Sequence, residues 1–100
     1  MTRERLPTRR GHELLSFEHG GIHYIAGVGR FENGKLAEIF LNAHKHGTAV
    51  DVSARDAAIA ASLLLQHGCH VDTLRKSLTR NSDGSASGPL ARALDLLGQA

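Results

Sequence analysis

Seven histidines and one cysteine are the residues of this 100-residue chain best suited to chemistry. His44-Lys45-His46 sets two imidazoles at i, i+2, and His67 and His70 stand at i, i+3 with Cys69 between them. Zinc needs three or four nitrogen or sulfur ligands, commonly in pairs of fixed spacing. This chain has no such set and no His-x-x-x-His on a helical pattern, so the histidines read as loop and cap residues and no metal site is assigned. Cys69 follows Gly68 at the end of a predicted helix, where the negative end of the dipole disfavours a thiolate. It reads as a small buried hydrophobe rather than a nucleophile, which would need a base and an orienting partner. A single cysteine also excludes an internal disulfide framework and points to a reducing compartment, with the cytoplasm as the default.

Phosphate and nucleic-acid readings rest on fewer residues. Gly27 and Gly29 are not followed by a helical pattern, so they are not a dinucleotide fingerprint. The Gly/Ser stretch 81–88 precedes a helix opened by Pro89, a place that can receive phosphate. It lacks an accompanying Lys-Ser/Thr pair and reads as a plain loop. The aromatics are Phe17, Tyr24, Phe31 and Phe40. Phe17 and Phe40 read as core. Tyr24, beside Arg30 and Lys35, could stack a base. Together with Arg3, Arg5, Arg9 and Arg10 around Pro7, it makes a small nucleic-acid-binding protein the alternative reading. The net charge of +2 does not itself demand a polyanionic partner.

The elements that must position these residues follow from periodicity. Residues 1–11 read as a flexible basic arm, and 12–100 as a single domain with enough apolar content, 41%, for a core. Strands are predicted over 13–18, 22–31 and 36–42. A turn at His19-Gly20-Gly21 joins the first two, and a type I′ turn at Asn33-Gly34 the next two. Gly27 and Gly29 suggest a bulge or a close backbone approach. A helix over 52–66 follows, capped by Asp51 or Ser53 and ended by Gly68 at C′. Ala54, Ala57, Ala58, Ala61, Leu64 and Leu65 form its broad apolar face, extended by Ile59 and Leu63. A helix apolar nearly all round is buried on more than one side. Asp72 is placed as the cap of a short helix over 73–80, with Leu74 and Leu78 inward. Leu90, Ala93, Leu94 and Leu97 form the inward face of the last helix. The fold class is α+β: a three-stranded antiparallel meander followed by three helices packed on one face. No run is long enough to cross a bilayer and the N-terminus has no apolar signal core. The apolar helix and the strand edges favour self-association.

Read in order, several elements resemble the C-terminal, TSCPD-type domain of the vitamin B12-dependent (class II) ribonucleotide reductases. They are Arg5-Leu6-Pro7-x-Arg9-Arg10, Phe17, Gly20-Gly21-x-x-Tyr24, Val28-Gly29 and Gly34-x-x-x-Glu38-Ile39-Phe40. After these come Lys45-x-Gly47, Asp56-Ala57, Ala61-Ser62-Leu63-x-Leu65-Gln66-x-Gly68, Gly84 and Pro89-Leu90-x-x-Ala93. The signature cysteines and the cysteine-rich tail of such enzymes are missing. The resemblance therefore implies a fold and a link to deoxyribonucleotide synthesis, and carries over no catalytic residue. It implies a stand-alone accessory or interaction domain that is non-catalytic by itself. Its partners would be a second copy, a reductase catalytic chain or a nucleotide, with no membrane. The family enzyme uses adenosylcobalamin, and no cofactor is assigned to this chain. Glu38, Lys45, Asp56 and Gln66 are the polar positions in the matched motifs and stand as candidate ligand-binding or interaction residues.

Overall fold

The computed structural model describes residues 12–45 and 47–98. The arginine arm (Arg3, Arg5, Arg9, Arg10) lies outside the described residues. The order is β1 (His12–His19), β2 (Ile22–Arg30), β3 (Leu36–Ala43), α1 (Ala49–Gln66), α2 (Val71–Ser77) and α3 (Pro89–Leu97). The strands form one antiparallel sheet in the order β1-β2-β3. The fold is α+β, with the sheet meander followed by helices, as the periodicity implies.

Alternation along the strands divides the sheet into two faces. Leu15, Phe17, Tyr24, Ala26, Val28, Ile39, Leu41 and Ala43 point to the helices and form the core with Ala54, Ala58, Ala61 and Leu65 of α1 and Leu90, Ala93 and Leu94 of α3. Each large aliphatic side chain buried here contributes roughly 1.5–3 kcal/mol. Phe17 and Tyr24, directly opposite in the β1–β2 register, stack with ring centroids 5.5 Å apart. The alanine spacing 54, 58, 61 lets α1 lie close on β3.

The two hairpin turns differ from expectation in a way that glycine explains. Gly20 and Gly21 both have positive φ, 59° and 76°, so the two-residue type I′ geometry falls at the first hairpin. At the second, Asn33 is not in the left-handed region; only Gly34 is, at φ 87°. Gly34 N–H donates to Phe31 O and Phe31 N–H to Lys35 O, both at 2.9 Å. This is a three-residue loop ending in a left-handed glycine. The segment Asn81–Ser85, read as plain loop, repeats the same geometry: Gly84 N–H donates to Asn81 O, Asn81 N–H to Ser85 O, and Gly84 has φ 87°.

Three helix expectations are corrected. Thr48, rather than Asp51 or Ser53, caps α1, its Oγ1 accepting from Asp51 N–H at 3.2 Å, so the helix begins earlier than predicted. His70 precedes α2, and Asp72 lies inside its first turn. α1 is buried along one face only: Val52, Ile59, Leu63 and Leu64 remain exposed. Its C-terminus ends as expected. Gly68 N–H donates to Leu65 O and Cys69 N–H to Leu64 O, the paired bonds of a Schellman motif.

Candidate functional site

The four motif residues do not converge on one site. Lys45 is exposed in the loop after β3, and Asp56 is exposed on α1. Glu38 is buried on the sheet face turned away from the helices. It lies against Gly29, where a Cβ atom would come within 2.7 Å of Glu38 Oε1. The bare backbone of Gly29 is the room that the Glu38 side chain occupies, and the pairing slips at the next step, between Gly29 and Arg30. Gln66 is 2% exposed, and its Nε2 donates to Ala37 O at 3.2 Å.

That last bond is one of a set. β3 is a sheet edge, and its outward main-chain groups are met by side chains of α1. Ser62 Oγ accepts from Ile39 N–H at 2.9 Å and donates to Ile39 O at 3.0 Å. Asp51, with 0% exposure, accepts from Ala43 N–H through Oδ1 and from Gly47 N–H through Oδ2, both at 3.0 Å. Arg55 Nε reaches Asn42 Oδ1 at 3.0 Å and lies 3.6 Å from Asp51. Positions 51, 55, 62 and 66 thus form a polar stripe on α1 that seals one edge of the sheet, a recognised means of blocking strand addition. The sequence motif around Ser62 and Gln66 has this structural use.

β1 is the other edge. Among the described residues, no side chain seals its main-chain groups in this manner. It carries Leu14, which is 79% exposed. Leu14 and Phe40 lean over Gly27 from either side; a Cβ there would meet Leu14 Cδ2 at 3.6 Å and Phe40 Cδ2 at 3.8 Å. Phe40, 47% exposed, belongs to this outer face and not to the core, because the pleat that turns Ile39 and Leu41 inward turns Phe40 out. Ile25 adds to the same exposed apolar face at 48%.

Tyr24 takes the opposite position. It is only 3% exposed, and burial pushes its phenol above its ordinary pKa. A ring packed under α1 and α3 offers no face to a nucleic-acid base, so the stacking surface proposed for it is absent.

A cleft of about 700 Å³ opens between the β2–β3 turn, the α1–α2 junction and the end of α3. Leu36, Leu65, Leu94 and Leu97 line it together with Phe31, and Arg30, Lys35, Arg75, His70 and Asp72 supply its polar groups. Cys69 is half-buried on the same wall, its Sγ donating to His70 O at 3.6 Å. Periodicity could not show this cleft, since three separate segments build it. The available signal was only the cluster Arg30, Phe31 and Lys35 around one turn.

Three of the described histidines bond to nearby or facing structure. A His67 ring nitrogen bonds Leu63 O at 2.8 Å, His19 bonds Ser87 O at 3.0 Å, and His23 bonds Ser16 Oγ at 2.8 Å. Among the described residues, no three His, Cys, Asp or Glu side chains gather as a metal site. Nor is any helix long and apolar enough to cross a membrane.

No family model and no solved structure matches the chain. Curated relatives do. A vitamin B12-dependent ribonucleotide reductase of Bradyrhizobium diazoefficiens is 37% identical over 70 residues, 70% of this chain. One of Agrobacterium fabrum is 35% identical over 77 residues, 77% of this chain. In each case the match spans only 6% of the relative's length. The chain is thus related to a small segment of the vitamin B12-dependent ribonucleotide reductases.

Proposed function

We propose that this domain serves deoxyribonucleotide synthesis as an interaction element without chemistry of its own, and that it docks on a second copy of itself through β1 and the outer sheet face. The link to nucleotide metabolism is supported by the reductase relatives. The observation that carries the docking is the unequal treatment of the two sheet edges. α1 seals β3, whereas β1 carries the most exposed large apolar residue of the domain, Leu14. Two copies related by a two-fold axis would pair β1 with β1 and set their Leu14 side chains side by side on a continuous sheet.

On this reading the chain has no part in holding the vitamin B12 of the relatives' name. The cleft described here is of the size that holds a drug-like ligand. Light scattering on the purified chain tests the docking, with a dimer expected and a monomer after Leu14→Lys. A monomeric wild type that is captured by a reductase catalytic chain would replace the second copy with that partner.

A further inference from the structure

We infer that the cleft between the β2–β3 turn, α2 and the end of α3 binds a small organic phosphate, its phosphate on Arg30, Lys35 and Arg75 and its flat or apolar body against Phe31 and the leucine floor. The inference is independent of the docking reading, because the cleft uses none of the outer-face residues.

Three features carry it. The first is shape: about 700 Å³ lies within the range of small-molecule sites, with an apolar floor and a few polar groups at the rim. The second is charge. The lining holds Arg30, Lys35 and Arg75 against the single carboxylate of Asp72. The third is the state of those cations. Asp95 is already engaged by Arg80, which donates from Nη1 at 2.5 Å and from Nη2 at 2.9 Å. Arg75 therefore stands second at Asp95, 3.9 Å away, and is 3.7 Å from Asp72, both beyond hydrogen-bond reach. Its N–H donors make no side-chain hydrogen bond among the described residues. Lys35 forms no ion pair among them either. Arg30 gives Nε to Glu13 at 2.6 Å and Nη1 to Gly34 O at 3.1 Å, which fixes the guanidinium at the mouth with donors to spare. Guanidinium groups held in this way suit phosphate oxygens.

The test is titration of the full chain, followed by amide chemical shifts, with three probes: 1-naphthyl phosphate, ADP and inorganic pyrophosphate. At least one ring-bearing phosphate should bind, shifting amides of residues 30–36 and 68–75, and pyrophosphate should bind more weakly. The two ring-bearing probes distinguish a nucleotide from another organic phosphate. Lys35→Glu, at an exposed position, should weaken binding about tenfold or more, and Arg75→Gln likewise. Leu14→Lys should leave it unchanged, which separates this site from the docking face. The proposal is overturned by a folded protein that binds neither ring-bearing phosphate. Shifts confined to other surfaces, pyrophosphate binding as tightly as the organic phosphates, or unaltered affinity in both cleft variants would overturn it equally.

Discussion

Ser62 of α1 holds both main-chain groups of Ile39, accepting from its N–H at 2.9 Å and donating to its carbonyl at 3.0 Å. One hydroxyl in the middle of a helix thereby replaces the missing neighbour of an edge strand. Ser62→Ala leaves a half-buried donor and acceptor without that partner, and should destabilise the fold by about 1–3 kcal/mol. Urea unfolding at neutral pH measures this. A loss near zero would mean that water substitutes freely and that the edge is not sealed.

Glu38 and Gly29 are fitted to each other. A Cβ at position 29 would lie 2.7 Å from Glu38 Oε1 and 2.9 Å from its Cγ. Because Glu38 is buried, its stem has little room to withdraw. Gly29→Ala should cost about 1–3 kcal/mol through overpacking. Shortening the opposing side chain should recover part of that loss, so the double variant Gly29→Ala/Glu38→Ser should show favourable coupling in a double-mutant cycle. Strict additivity would separate the two residues energetically.

Acid should weaken the fold through Asp95. Its hydrogen bond with the Arg80 guanidinium, outweighing partial desolvation, holds the carboxyl below its ordinary value of 3.8. A carboxyl depressed on folding stabilises fully above its unfolded value, and that contribution is lost as pH falls through the folded one. The stability difference between wild type and Asp95→Asn should therefore be constant from about pH 5 to 7 and shrink below about pH 4. Unfolding curves taken across that range decide it. A difference that persists unchanged at the acid end would contradict the ion-pair account.

The order of elements was legible because each signal is local: period-two strands, Gly20-Gly21, Gly68 after α1 and Pro89 before α3. The α1 start was not, because Thr48, Asp51 and Ser53 are all competent caps and the choice depends on Asp51 being drawn to Ala43 N–H at the end of β3. Phe40 and Tyr24 exchanged roles for a similar reason. Alternation says that they can lie on opposite faces, and only the helices decide which face is covered. The motif residues Ser62 and Gln66 were visible as a pattern, but their bonds to β3 span 23 and 29 positions of sequence.

The mass of the purified chain in solution, measured by light scattering over a range of concentrations beside Leu14→Lys, tests the interaction reading most directly. The account predicts a wild-type species at twice the 10.7 kDa chain mass and a folded Leu14→Lys monomer. A wild type that stays at the single-chain mass at every concentration, or a dimer indifferent to Leu14→Lys, would contradict docking through β1 and the outer face.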